Sequence, residues 1–203
     1  MRAGAPRVAW IAGRALRITS GVLIAAGVLL GAWAIVVWRW QDPFALYTHR
    51  EQQKLGHALA LEFADFRPQR ATHPGEAIGR IGLGMVLVGG SDESSLKKGP
   101  GRDPRSYMPG QRRLVYVAGH RTTYLAPFSH IDAIRPGDSI RLEMPYATFV
   151  YRMTTHRIVP ADDMSVLRSP RHELLELQAC HPRFFATHRY IVYAKLVAMK
   201  PRA

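Results

Sequence analysis

The sequence predicts a mainly β domain, an antiparallel barrel or sandwich, that follows two N-terminal helices. Three observations predict this fold class. An uncharged apolar stretch occupies residues 18–38, large apolar residues recur at helical spacing within residues 41–70, and from residue 75 onward short apolar runs alternate with turns that contain Gly or Pro. The chain has 203 residues, of which 47% are hydrophobic, so it is long enough for one domain with a buried core.

The apolar stretch from Ile18 to Trp38 is predicted to be a transmembrane anchor. It contains 21 residues without a charge, which in a helix span about 30 Å, the thickness of the hydrocarbon core of a bilayer. Four arginines precede it without any acidic residue, so the positive-inside rule places residues 1–17, a basic tail, in the cytoplasm and the rest of the chain outside the cell. A cleaved secretory signal is the alternative, but the stretch is long for a signal core and no clear cleavage site follows it.

Residues 39–74 are predicted to form a juxtamembrane helix and a linker. Asp42-Pro43 is a helix start signal, and Pro68 and Pro74 end the helical pattern. An apolar stripe at helical spacing lies between them and consists of Leu55, Leu59, Phe63 and Phe66. We expect this stripe to pack against the domain that follows.

Residues 75–203 are predicted to be the β domain. Seven runs rich in Val, Ile, Leu and Tyr are candidate strands: Ala77–Leu83, Met85–Val88, Leu114–Ala118, Ser139–Met144, Thr148–Ile158, Leu174–Ala179 and Tyr190–Met199. Two further segments are candidate short helices, Asp92–Lys98 and Tyr124–Ile131, and Lys97–Gln111 is expected to be a long loop. Because no strand–helix–strand rhythm is present, we expect antiparallel strands.

The charge of the chain restricts its partners. The formal net charge is +13, and the N-terminal arginines account for only four of these positive charges. A basic domain outside the cell favours membrane lipid head groups or anionic cell-wall polymers, although a merely solvated surface explains the charge better than any specific anion site. Nucleic acid is the rival partner, but the sequence has no nucleic-acid-binding motif and the predicted anchor argues against it.

Three predicted strand ends carry side chains suited to thiol chemistry. Cys180, the only cysteine, ends one strand before Pro182, His120 follows the strand end at Gly119, and Arg189 opens the last strand nine residues after the cysteine. A thiol nucleophile requires a partner that transfers protons and a donor that stabilises the developing oxyanion. Without these neighbours, a lone cysteine is more often an inert buried residue than a reactive one.

Further motifs occur around these three positions in a fixed order: Leu96-Lys97-Lys98-Gly99-Pro100-Gly101, Pro109-Gly110-Gln111, Ala118–Tyr124 with Ala126-Pro127-Phe128, and Arg135-Pro136-Gly137-Asp138. With them the chain resembles the sortases, most closely those of class E, over roughly residues 75–200. Two departures are visible. The family usually carries Thr where this chain has Ala179, and relatives often carry a His and an aromatic residue where this chain reads Arg102-Asp103-Pro104.

The resemblance implies an eight-stranded barrel and a membrane-bound cysteine transpeptidase. It implies Cys180 as nucleophile, His120 as proton-transfer residue and Arg189 as oxyanion stabiliser, with Tyr124 and Ala179 as substrate-binding residues. The implied substrates are exported proteins with a C-terminal motif of the Leu-Ala-x-Thr-Gly or Leu-Pro-x-Thr-Gly type. The implied acceptor is an amine of a peptidoglycan precursor or of a pilin, and no metal or organic cofactor is implied.

Three alternatives remain at this point. A cysteine hydrolase would use the same three residues and release its product to water. A non-catalytic wall-binding barrel would carry an incidental thiol. Zinc bound by Cys180, His181 and His188 is disfavoured, because adjacent residues of a strand point to opposite faces.

Overall fold

The computed structural model describes residues 19–35, 44–64, 77–82 and 84–202, and the chain divides into two compact units, Met1–Gln41 and Asp42–Ala203. In the first unit, residues 19–35 form helix α1, whose side chains are exposed. The ends of the predicted anchor, Ile18 and residues 36–38, lie outside the described residues. Among those that are described, no helix is long and apolar enough to cross a membrane.

Helix α2, Ala45–Ala64, lies within the predicted juxtamembrane segment. Leu59 is fully buried and, with the partly buried Leu55, packs against Ala77 and Val86 of the barrel. The other predicted stripe members cannot be compared, since the Phe63 side chain and Phe66 lie outside the described part of the chain. The described part of the stripe therefore packs against the domain, as the spacing predicts.

Eight strands form a closed barrel in the second unit. They are β1 Ala77–Ile81, β2 Met85–Gly89, β3 Gly101–Arg102, β4 Leu114–Ala118, β5 Ser139–Glu143, β6 Ala147–Pro160, β7 Leu174–His181 and β8 His188–Pro201. Around the barrel the order is β1-β2-β3-β4-β7-β8-β6-β5. A short helix α3, Glu93–Leu96, and two 3-10 helices, Ile131–Ala133 and Met164–Leu167, lie in the connections.

The core fills the barrel because alternate residues of each strand point inward. On β7, Leu175, Leu177 and Ala179 are buried in the main apolar cluster. The side chains that alternate with them, those of Glu176, Gln178 and Cys180, therefore lie on the opposite face of the sheet.

The strand predictions are confirmed to within two residues at each end that the structure describes. The all-antiparallel expectation is wrong, because β2 pairs with β3 and β4 pairs with β7 in parallel. The two-residue strand β3 lies inside the predicted loop Lys97–Gln111 and was missed because it is too short to show alternation.

Of the two predicted short helices, one is confirmed and one is wrong. Helix α3 lies within Asp92–Lys98, and the Asp92 side chain caps it by accepting a hydrogen bond from the Ser95 amide. In place of the predicted helix Tyr124–Ile131 the chain makes turns up to residue 130, because Tyr124, Leu125 and Ala126 have φ values of 53°, 65° and 42°. Residues with these left-handed values cannot continue a right-handed helix.

Candidate active site

The ends of three neighbouring strands bring the predicted residues together. Cys180 on β7 and Arg189 on β8 are directly opposite each other in an antiparallel pair, so their side chains share one face of the sheet. His120 follows the end of β4, and β4 pairs with β7 on the side of β7 that faces away from β8. Cys180, His120 and Arg189 all line one cavity of about 300 Å³.

Gly119 sets the position of His120. A Cβ at this glycine would lie 2.6 Å from Cδ2 of Phe128, so any larger residue would push against a ring of the core. The Gly119 amide donates to the Gln178 carbonyl at 3.0 Å, and the His120 carbonyl accepts from the Phe128 amide at 3.0 Å. The backbone on both sides of His120 is therefore fixed.

The guanidinium of Arg189 is held by the loop that joins β7 to β8. Its Nη1 donates to the Ala186 carbonyl at 2.8 Å and to the His188 carbonyl at 3.0 Å. The cation is half-buried and faces the cavity beside Cys180. It thus places a positive charge and hydrogen-bond donors next to the thiol.

A buried polar layer forms one wall of the cavity. The Tyr116 hydroxyl donates to Oε1 of Gln178 at 2.7 Å, and both residues line the cavity. Burial and then the neighbouring Glu176 raise the pKa of the Tyr116 phenol, so it stays protonated and remains a donor. Met164, Val166 and Leu167 of the β6–β7 connection add apolar side chains to the same cavity.

The unusual loop sequence Arg102-Asp103-Pro104 is structural as well as part of the rim. Arg102 is buried, and its Nη1 donates to the carbonyls of Asp103 and Ser106. The Asp103 carboxylate accepts from Ser91 and, in a bidentate pair, from Arg105. These contacts hold the pKa of Asp103 below its usual range despite its burial, so this cavity-lining residue is an anion.

Comparison with known proteins identifies the family. The sequence model of the Sortase domain family matches residues 77–197. Sortase D of Bacillus subtilis is 33% identical over 140 residues, which cover 66% of this chain and 69% of that protein. The chain belongs to the sortase family. It is accordingly an enzyme of the cysteine transpeptidase type, as its sequence motifs predict.

Relatives of this sortase come from more than one class. Sortase SrtE1 of Streptomyces coelicolor is 33% identical over 97 residues, 43% of this chain and 27% of that protein. The solved structure of Clostridium perfringens Sortase D5 covers 73% of this chain and 99% of its own with a TM-score of 0.65, and at 24% identity this likeness concerns the fold. Sortase E1 of Streptomyces coelicolor with a tripeptide in its active site has a TM-score of 0.57 at 27% identity, over 65% of this chain and 94% of that one. Class E therefore stays a prediction.

Arg121 is a component of the sortase site that sequence reasoning missed. This buried side chain forms a salt bridge of 2.5 Å with Asp132 and donates to the Cys180 carbonyl at 3.4 Å. Its Nη1 also lies 3.0 Å from Nδ1 of His181. The signal available in the sequence was its place directly after His120, within the motif that carries the family resemblance.

The two predicted substrate-binding residues occupy different environments. The ring of Tyr124 lies beside His120, with the ring centroids 4.9 Å apart. Ala179 is fully buried in the core, so its side chain is not exposed to a peptide. Both assignments stay predictions.

His181 and His188 lie opposite each other on β7 and β8. Burial and the charge of Arg121 lower the pKa of His181, which favours a neutral ring that accepts a hydrogen bond from Arg121. Within the described ranges, no three acidic, His or Cys side chains are grouped so that they could hold a metal ion.

Proposed function

We propose that this sortase is a membrane-anchored transpeptidase that attaches exported proteins to the cell wall through Cys180, His120 and Arg189. The observation that carries the proposal is the meeting of these three side chains in one cavity at adjacent strand ends. The family supplies the reaction class, and the apolar stretch Ile18–Trp38 supports the anchor.

In the proposed first half-reaction, the Cys180 thiolate attacks the carbonyl carbon of Thr in a Thr–Gly bond. Arg189 donates hydrogen bonds to the oxyanion of the tetrahedral intermediate, from the position beside the thiol that the β7–β8 pairing gives it. His120 as imidazolium protonates the Gly nitrogen, the C–N bond breaks, and a thioester on Cys180 remains.

In the second half-reaction an amine attacks the thioester. His120, now neutral, accepts a proton from the incoming nitrogen, the C–S bond breaks, and the Cys180 thiolate is regenerated. The product is an amide, and His120 returns to its protonated form. No oxidant or reductant is needed, because neither half-reaction changes the oxidation state of carbon, nitrogen or sulfur, and the proton that His120 gives up in the first is regained in the second.

The proposed substrates carry a Leu-Ala-x-Thr-Gly or Leu-Pro-x-Thr-Gly type motif, and the proposed acceptor is an amine of a peptidoglycan precursor or of a pilin. An anchor ahead of helix α2 would keep the catalytic domain near the membrane surface. The basic net charge of +13 supports a location beside anionic lipid or wall polymer.

The test is an amine-dependence assay on the full-length chain in a mild non-ionic detergent. A labelled Leu-Ala-x-Thr-Gly peptide is incubated with and without a glycine-type amine, and the amide and acid products are separated. We expect amide as the main product with excess amine, acid as the main product only when amine is omitted, and neither product with Cys180→Ala. A product ratio that does not respond to amine would favour the cysteine hydrolase, and an inert thiol would favour a wall-binding barrel.

A further inference from the structure

Three aromatic rings connect the start of helix α2 to the candidate active site. Phe44, directly before the helix, stacks on Tyr124 with the ring centroids 4.7 Å apart and the ring planes at 21°. Tyr124 in turn lies against His120, with centroids 4.9 Å apart and planes at 38°. A residue about 76 positions earlier in the sequence thus reaches the imidazole through a single intervening ring.

The backbone under Tyr124 requires such support. Tyr124, Leu125 and Ala126 all have positive φ values, and each residue other than glycine that adopts this region is strained. Conformations of this kind persist only when surrounding contacts hold them. Around the Tyr124 ring these contacts are Phe44, His120 and the ammonium of Lys97, whose Nζ lies 5.9 Å from the ring centroid.

Helix α2 is fixed to the barrel at the position that this stack requires. The fully buried Thr48 donates to the Lys97 carbonyl at 2.9 Å. Gln52 donates to the Lys98 carbonyl at 2.6 Å and accepts from the Val86 amide at 2.7 Å. The helix is therefore bonded to the same segment, Lys97–Lys98, that also contacts Tyr124.

The Phe44 ring contributes little to the hydrophobic core, since 44% of its surface is exposed. Its face is nevertheless placed on Tyr124. Leu46, two residues later and 77% exposed, shows that apolar side chains at this end of the helix are not generally buried. The stack of Phe44 on Tyr124 is thus a local contact, and Tyr124 in turn contacts His120.

We propose that Phe44 is a positioning residue for His120, acting through Tyr124, so that the residue directly before helix α2 belongs to the active site. This inference rests on the proposed function insofar as His120 transfers protons there. A proton donor must be held within hydrogen-bond reach of the leaving nitrogen, and small displacements reduce the rate. An aromatic pair contributes enough for the loss of the ring to lower kcat/KM about 2- to 10-fold.

The test compares Phe44→Ala, Phe44→Leu and Phe44→Tyr with Leu46→Ala as the matched control, in the full-length chain in detergent. We measure kcat/KM from pH 5 to 9, the thermal unfolding midpoint, and the ring signals of His120 by NMR, assigned with His120→Gln. Phe44→Ala and Phe44→Leu should lower kcat/KM and shift or broaden the His120 signals, while the unfolding midpoint falls by no more than about 1 to 6 °C. Phe44→Tyr should retain the kcat/KM and the His120 signals of the parent protein, and Leu46→Ala should change neither.

Two results would overturn the positioning role. One is a Phe44→Ala variant with the rate and the His120 signals of the parent protein. The other is a loss of activity that follows a lowered unfolding midpoint while the His120 signals stay unchanged, which would mark Phe44 as merely structural. The NMR readout needs no turnover, so it separates this inference from the proposed function, whose own failure would appear as full activity of Cys180→Ala or His120→Ala.

Discussion

Glu176, a buried carboxyl group on β7, should make a contribution to stability that falls as the pH rises. Glu176 is only 3% exposed, and its Oε2 has no hydrogen-bond partner among the described residues. Tyr116 on β4 and Tyr193 on β8 pair with it across the sheet. The positive charge of Arg157 lowers the pKa of Glu176 and so opposes part of the effect of burial. Burial raises the pKa of Glu176 to about 8.

The sign follows from the proton balance. Between about pH 5 and pH 7 the unfolded chain has released this proton while the folded chain still holds it, so unfolding releases one proton. The contribution of Glu176 to stability is complete below its ordinary pKa near 4.5 and is lost as the pH rises through its folded value near 8. The slope is about 1.4 kcal/mol per pH unit, which amounts to about 2.7 kcal/mol between pH 5.5 and 7.5.

The assay is thermal unfolding of the full-length chain and of Glu176→Gln at pH 5.5, 6.5 and 7.5. The glutamine cannot ionise. The unfolding midpoint of Glu176→Gln, measured relative to that of the parent protein, should therefore be about 5 to 10 °C higher at pH 7.5 than at pH 5.5. The exposed Asp162, changed to Asn, is the control and should leave the pH dependence of the parent protein unchanged. Parallel curves for Glu176→Gln and the parent protein would refute the reasoning.

Three further predictions concern the site, its support and the topology. Arg189→Lys keeps the charge but loses the planar donor, so the turnover rate should fall about 10²- to 10³-fold, and a normal rate would remove Arg189 from the mechanism. Glu173 accepts from the Tyr151 hydroxyl and the amides of Gly110 and Arg112, so Glu173→Ala should lower the free energy of unfolding by about 3 kcal/mol, measured by denaturant titration. Protease treatment of intact cells should digest the catalytic domain and spare a small N-terminal fragment, whereas a protected domain would contradict the proposed orientation.

The strands were predictable because runs rich in Val, Ile, Leu and Tyr are bounded by turns that contain Gly or Pro. The run that became β5, Ser139–Glu143, directly follows the turn signal Arg135-Pro136-Gly137-Asp138. The pairing of strands was less predictable. β4 and β7 are parallel neighbours although they lie far apart in the sequence, and no local pattern marks such a pair. The left-handed turn at Tyr124 escaped prediction because three residues other than glycine adopt a conformation that their types disfavour.

The candidate site was predictable where motifs mark it and unpredictable where tertiary contacts build it. Cys180, His120 and Arg189 were selected from strand ends and family motifs, and they do line one cavity. The contacts of Arg121 with Cys180 and His181, and the stack of Phe44 on Tyr124, have no periodic signal in the sequence, because each depends on a partner distant in sequence. Only the folded chain brings those partners together.

The most direct measurement of the central claim is the intact mass of the full-length chain after incubation with a Leu-Ala-x-Thr-Gly peptide in the absence of amine. We predict an added mass equal to the acyl part of the peptide, located on Cys180 by peptide mapping and removed when a glycine-type amine is supplied. It should be absent from Cys180→Ala. Cleavage of the peptide without any such adduct, or an adduct on another residue, would contradict the account.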